Sequence, residues 1–419
     1  MSKEVFRSHN KVGETMSFQT NITSGSTFDP KSSVINHLNN GRVSWDLGDG
    51  NGYIATNSDL SHIFSGDTGT TKTITLRTTK LSHLTQFYAD NDNLVGHLDM
   101  SGWDNLAYGI APGLDVQDNP GLTAITNTYS PHEFYAYSIK YCDITGYLDL
   151  TMFPGGITYC YLEGNPKLSG VTFTATSHNM ARLFIHDCDL QGHLDVSMFS
   201  DFPNYFSTLN NSGLTGVTFP TAPNDNNGIV YFYLGPSIVG VLDVSFTNFG
   251  GDFIVNSNPN LNKIIHGPSS DVFNNYWAHL CNLTGNLDLS MLTGLGGDFI
   301  IRGNPSLTGV THTASTQNFN NYWAQDCDLG YINFLPLSGV SMDLSIKLQN
   351  NDMTATDVNH ILVDFDTMST NLNPAGWSGV TLDISGTNAT PDSVSGSYDG
   401  LTALGSLTGI TNNWTITTS

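Results

Sequence analysis

Positive charge is scarce in this sequence. Only 14 Lys and Arg stand against 37 Asp and Glu over 419 residues, a formal net charge of −23. Such a chain repels phosphate backbones, which argues against a nucleic-acid partner. No apolar run reaches the roughly 18 residues of a membrane-spanning helix. The start, Met1-Ser2-Lys3-Glu4-Val5-Phe6-Arg7-Ser8, has no apolar stretch behind its charges, so no secretory signal is expected. Cysteines number five, and the odd count argues against a complete disulfide framework. H-E-x-x-H, a phosphate-cradling Gly loop and C-x-x-C are all missing, and the 13 histidines are scattered. Gly, Asn, Ser and Thr are plentiful instead, a mixture that suits short strands joined by turns.

The chain repeats itself with a period near 46 residues. Gly-x-Leu-Asp recurs at Gly96-Leu98-Asp99, Gly146-Leu148-Asp149, Gly192-Leu194-Asp195, Gly240-Leu242-Asp243 and Gly285-Leu287-Asp288. Asn119-Pro120, Asn165-Pro166, Asn211-Ser212, Asn258-Pro259 and Asn304-Pro305 lie between them. Cys142 and Cys188 are 46 residues apart, as are Cys281 and Cys327. Each repeat divides into two coils of roughly 23 residues. One coil reads Leu183-x-Ile185-x-x-Cys188-x-Leu190-x-Gly192-x-Leu194. Its partner reads Phe299-x-Ile301-x-x-Asn304-Pro305-x-Leu307-x-Gly309-Val310, with one residue added after the Asn.

These coils resemble the leucine-rich-repeat consensus L-x-L-x-x-[NC]-x-L-x-G-x-[LI] over residues 81 to 335, about ten coils. Leu183 and Ile185 are expected to point inward from a short strand. A buried Asn at the turn can bond orphaned backbone groups from coil to coil, and a buried Cys can take its place. Asn119, Asn165, Asn258 and Asn304 with Cys142, Cys188, Cys281 and Cys327 are therefore read as a structural ladder. Metal binding or disulfides are the alternative, but equivalent positions two coils apart lie about 10 Å apart, beyond disulfide reach. Cys160 sits at an inward strand position. Segments such as Leu194-Asp195-Val196-Ser197 and Gly216-Val217-Thr218-Phe219 alternate like a second strand wall, so long helices are not expected there.

The ends differ. Val43-Ser44-Trp45-Asp46-Leu47-Gly48-Asp49-Gly50, then Ser61-His62-Ile63-Phe64 and Thr71-Lys72-Thr73-Ile74-Thr75-Leu76, resemble a PKD-type immunoglobulin-like sandwich. Leu47 and Phe64 stand where that family has Phe and Tyr. The resemblance implies a spacer or adhesion module over residues 21–79, with residues 1–20 as an arm and Trp45 in the core. In residues 336–419, Thr354 and Asp357 form a capping-box pattern. Val358, Ile361, Leu362 and Phe365 follow at helical spacing, and Val380, Leu382 and Ile384 alternate as a strand. A short helix is expected near 401–407. This segment is read as an α/β cap over the last open edge, and it resembles the C-terminal ends of leucine-rich-repeat proteins common in Bacteroidetes and their phages. The fold class is thus mostly β: an immunoglobulin-like sandwich, a β-rich solenoid and an α/β cap.

Catalytic sets are hard to find. Asp99, Asp149, Asp195, Asp243 and Asp288 could supply paired carboxylates for glycoside hydrolysis. A residue repeated with the coil is more simply a turn acceptor for backbone N–H groups. No cofactor is expected. Asp90 and Asp92, in Asp90-Asn91-Asp92-Asn93, are the candidate calcium ligands, with Asp46 and Asp49 beside them, and a solvated turn is the plainer reading. Beside the inward pairs lie outward positions: Tyr161, Phe184 and His186, Trp277 and His279, Trp323 and Gln325, and Lys140 with Tyr141. Exposed aromatics on a rigid sheet can stack on sugar rings or anchor a protein, although mere repeat decoration or subunit packing would look the same.

The expectation is a non-enzymatic phage surface protein for host recognition. Its partners would be a host-surface glycan or protein, and other virion proteins through the N-terminal arm, with homo-oligomerisation left open. A bacterial surface adhesin, a purely structural capsid decoration protein and a tailspike-like depolymerase are the alternatives.

Overall fold

The computed structural model describes residues 14–22, 27–28, 31–34, 43–48, 53–56, 62–63, 70–78, 84–103, 113–127, 129–174, 180–200, 202–220, 224–268, 272–292, 294–312, 319–337, 345–369, 380–409 and 413–419. Residues 1–13 of the expected arm, Asp49 and Phe64 lie outside the described residues. The chain forms two compact units. One comprises residues 1–190 with 198–200, and the other residues 191–197 with 201–419. Each carries successive turns of a parallel β-solenoid, about nine in all.

In the first unit the solenoid wall is built from short parallel strands in register. Tyr137 lies opposite Cys160, and Cys160 opposite Leu183. All three are fully buried, because alternation along each strand sends every second side chain inward. The strand Glu14–Ile22 is part of the fold, since Met16, Phe18 and Thr20 alternate inward. It pairs antiparallel with Thr70–Thr78 and also with Leu94–Asp99 of the first coil. Lys31–Val34 pairs antiparallel with Leu84–Tyr88 of the other wall. Phe18 packs edge-on against both Trp45 and Phe87, and Phe87 against Trp103. The chain on either side of residue 80 therefore shares sheets and core.

In the second unit the wall runs through Ile254, Trp277, Ile300, Trp323, Lys347, Asp383 and Thr417, each opposite the next. Behind it the inward positions form a stacked aromatic column of Phe206, Phe232, Phe253, Tyr276, Phe299 and Tyr322, with neighbouring ring centroids 4.9–5.7 Å apart. The strand spacing of about 4.8 Å brings rings in one column into contact.

The second wall consists of strand pairs, such as Gln191–Asp195 with Gly213–Thr218 and Thr284–Asp288 with Ser306–Thr311. Each pair carries a register shift. Gly192 pairs with Leu214 and His193 with Gly216, which leaves Thr215 as an extra residue. This β-bulge absorbs the residue that the sequence adds after Asn in alternate coils. The Thr215 hydroxyl donates to the Gly192 carbonyl at 3.1 Å, across the bulge.

The C-terminal residues hold the two α-helices of the described chain. Helix α1 (Ala355–Thr367) starts at a capping box in which Thr354 and Asp357 exchange hydrogen bonds. It buries Val358, Ile361, Leu362 and Phe365, with Phe365 against Phe334 and Trp414. Helix α2 (Gly400–Thr408) follows, capped by Asp399.

Candidate recognition surface

Apart from the Gly235-Pro236 turn, the turns after the wall strands are built the same way. The residue before the ladder position has a positive φ: Asp118, Tyr141, Asp187, Asn210, Ser257, Leu280 and Asp326, with Gly164 and Gly303 at the remaining turns. That conformation swings the next side chain into the interior. The Asn165 amide donates to the Ile139 and Leu162 carbonyls at 2.9 and 2.8 Å, and its oxygen accepts from the Ile144 N–H. Asn119, Asn258 and Asn304 likewise donate to strand carbonyls and accept one N–H each. A thiol does part of this work in the intervening coils. Cys142, Cys188, Cys281 and Cys327 donate to the carbonyls of Val116, Leu162, Val255 and Ile301 at 3.3–3.5 Å. All five cysteines are free and buried. Asn351 and Asn388, which the repeat pattern did not single out, make the same bonds in the C-terminal residues. Leu348-x-x-Asn351 carries the signal one coil beyond Cys327, and helix α1, which follows it, displaces only Asn388 from the spacing.

The repeated Asp residues lie at the exposed turn after the second wall. Asp99, Asp149, Asp195, Asp243 and Asp288 each accept the N–H of the residue two positions on, at 2.9–3.0 Å. The backbone bond from Ser101 holds Asp99 below the usual carboxylate range, and hydroxyl bonds from Thr151, Ser197 and Ser290 do the same for Asp149, Asp195 and Asp288. None of these four is poised to give up a proton as a general acid near neutral pH. Asp90 is exposed and Asp92 is buried beside Thr20, whose hydroxyl donates to the Asp92 carbonyl. Among the described residues no group of three or more His, Cys, Asp or Glu gathers at metal-binding distance.

The outward face of the second unit holds three adjacent columns. The first is a ladder. Asn275 donates to Asp252 at 2.7 Å, Asn321 donates to Asp298 at 2.8 Å, and the Asp298 N–H donates to the Asn275 oxygen. The second is Ile254, Trp277, Ile300, Trp323 and Lys347, with the Lys347 ammonium 4.2 Å from the centre of the Trp323 ring. The third, two residues further along each strand, contains His279, Arg302, Gln325 and Gln349.

Six buried atoms in the last two columns have no hydrogen-bond partner among the described residues: Trp277 Nε1, Trp323 Nε1, His279 Nδ1, Arg302 Nε, Gln325 Oε1 and Gln349 Oε1. Gln325 is only 8% exposed. Each such group costs about 1–3 kcal/mol when left unpaired. Burial first, and the Arg302 charge second, hold His279 below the usual imidazole range, so it is neutral. The surface thus sets half-buried Trp277 and Trp323 side chains over polar atoms that are shut off from solvent and lack partners among the described residues.

The first unit has a smaller aromatic group. Tyr159 stacks on Tyr161 with centroids 6.3 Å apart, and Phe184 lies 5.8 Å from Tyr161. Arg182 sits over Tyr159 and Lys140 over Tyr161. His186 pairs with Asp187 at 2.6 Å and is engaged locally. Glu163 is buried in the same wall, and burial raises its carboxyl above the usual range. Sequence alone hides it, because a Glu at an outward strand position reads as a solvated face. Tyr161, Phe184 and His186 therefore form one cluster, and Trp277, His279, Trp323 and Gln325 another.

No family model matches the chain, and neither a curated protein nor a solved structure does.

Proposed function

We propose that this protein is a non-enzymatic recognition protein of the leucine-rich-repeat type, displayed on a phage virion, that holds a host-surface glycan or protein on its outward columns. The observation that carries this reading is the Trp277–Ile300–Trp323–Lys347 column on the outward face. A stack of coils suits the task, because each strand fixes the place of its neighbours' side chains and little ordering entropy is lost on binding. The repeated Asp residues, each engaged by a backbone N–H of its own turn, favour binding over hydrolysis. The PKD-like and capping roles of the two ends, and the virion setting, rest on sequence resemblance.

Host-cell or glycan binding that disappears in the Trp277→Ala, Trp323→Ala double variant, with an unchanged melting profile, would support the reading. Undiminished binding would remove these columns from it, and binding to nothing would favour a decoration protein. Antibody labelling of purified particles tests the virion setting against a bacterial surface adhesin. Polysaccharide cleavage abolished by a single Asp substitution would establish an enzyme instead.

A further inference from the structure

We propose that Tyr331, His360 and Tyr398 form a proton-operated fastener, which holds helix α1 and the segment before helix α2 against the coil that carries Tyr331 and tightens when His360 takes up a proton.

The device sits where the repeat is interrupted. Gly330-Tyr331-Ile332 matches Gly192-His193-Leu194 and Gly285-Asn286-Leu287 of earlier coils. His193 and Asn286 are exposed at this position. Tyr331 is instead covered by the His360 imidazole, with the two planes parallel and the centroids 3.7 Å apart. The Tyr398 ring lies 3.8 Å from the same imidazole at 14°. Two rings at that distance cannot share one face, so His360 is sandwiched between them. One imidazole thus joins a coil, helix α1 and the segment leading into helix α2.

Asp364 completes the group. It lies one turn beyond His360 in helix α1, with its Oδ1 3.8 Å from His360 Nε2. Its Oδ2 accepts the Tyr331 hydroxyl at 2.6 Å, and Asp357 accepts the Tyr331 N–H at 3.1 Å. The Asp364 side chain is buried, whereas the His360 side chain is 25% exposed, so a proton can reach the imidazole from water. The other titratable groups that these elements bring are Asp357 and Asp366 on helix α1, Asp328 on the coil, and Asp392 and Asp399 in the segment before helix α2. Asp392 is engaged by Asn359 and Ser395, and Asp399 caps helix α2. Residues 328–337, 355–367 and 391–408 contain no Lys or Arg to oppose a positive charge at His360.

A neutral His360 contributes ring stacking alone. A protonated one adds cation–π attraction from two tyrosine faces and an ion pair with Asp364. These gains exist only while the three segments are together, so proton uptake and docking favour each other. The fastener therefore tightens as pH falls across the range of about 8 to 5 in which imidazoles change charge, and slackens as pH rises. His266 and His312 have the opposite effect, because burial holds them neutral in the folded chain.

Hydrogen–deuterium exchange of the full chain at pH 5.5, 6.5 and 7.5, corrected for the intrinsic pH dependence of exchange, tests this. Protection of the Ala355–Thr367 amides should fall roughly fivefold or more from pH 5.5 to 7.5. The wall strand Val272–Trp277 of the same unit serves as the reference and should not follow that fall. His360→Phe keeps a stacked ring but takes up no proton, and should abolish the pH dependence. Should that variant misfold, Tyr398→Leu removes one of the two ring faces and should shrink it. Protection of helix α1 that is unchanged or rises from pH 5.5 to 7.5 overturns the proposal. So does the parent's full pH dependence in either variant.

Discussion

His266 Nε2 lies 3.0 Å from the Tyr276 hydroxyl inside the solenoid, and 46 residues later His312 Nε2 lies 2.9 Å from that of Tyr322. Both imidazoles are buried among rings, His266 by Phe253 and Phe273 and His312 by Phe299 and Phe334. Burial pulls both down to about 4, with only a distant, opposing influence of Asp288 on His266. The unfolded chain, with histidines near 6.5, binds protons that the folded chain refuses. Stability from this source is therefore complete above pH 6.5 and is lost as pH falls toward 4, on the order of 3 kcal/mol per histidine. Melting temperature followed from pH 7 to 4 should show the fall. The His266→Gln, His312→Gln variant should show a shallower one, and an identical slope would refute this account.

Asn165 and Cys188 occupy equivalent turns but do unequal work. Asn165→Ala leaves two carbonyls and one N–H without their partner in the interior, which should cost about 3 kcal/mol or more. Cys188→Ala removes one weak thiol donor shared between the Leu162 and His186 carbonyls and should cost about 1 kcal/mol. Urea denaturation of the two variants checks the order, and equal losses would contradict it.

The thiols should be inert while the chain is folded. Burial pushes Cys142 and Cys188 up to about 12 and Cys281 and Cys327 up to about 11, and it raises Cys160 as well. Because the thiolate is the nucleophile, a chromogenic disulfide reagent at pH 8 should titrate almost none of them in the native protein. In denaturant it should titrate all five. Rapid reaction of any thiol in the native state would place that side chain nearer solvent.

Gly192 has φ +67°, and a Cβ built there would meet nothing within 4 Å. Its constraint is the backbone alone, as at Gly146, Gly240 and Gly285. Gly192→Asn should therefore cost clearly less than Gly192→Val, since Asn tolerates left-handed backbone and a β-branched residue does not. Gly192→Ala should cost about 1 kcal/mol. Thermal melts of the three decide it, and a Val variant as stable as the Asn variant would show that the turn does not need this conformation.

Much of the solenoid was legible in the sequence because its rule is local. Inward alternation at Leu183 and Ile185, Asn165 and Cys188 at equivalent turns, and the added residue in alternate coils can all be read within one coil of some 23 residues. The capping box at Thr354 is equally local. Asn388 escaped notice because the helix α1 insertion displaced it from the period, whereas Asn351 keeps the step and its signal was legible.

Sequence by itself determined that the chain stacks short strands with one side chain pattern per coil, since that follows from the period-two geometry of a strand and the dihedral needs of its turns. Tertiary structure alone decided the rest. The strand Glu14–Ile22 joins a sheet with residues about fifty to eighty positions away. Lys347 lies opposite Asp383 of a strand beyond helix α1, and Glu163 is buried among residues of adjacent coils. Whether a charge or a polar atom finds a partner depends on which distant segments lie beside it, and no spacing rule along the chain encodes that.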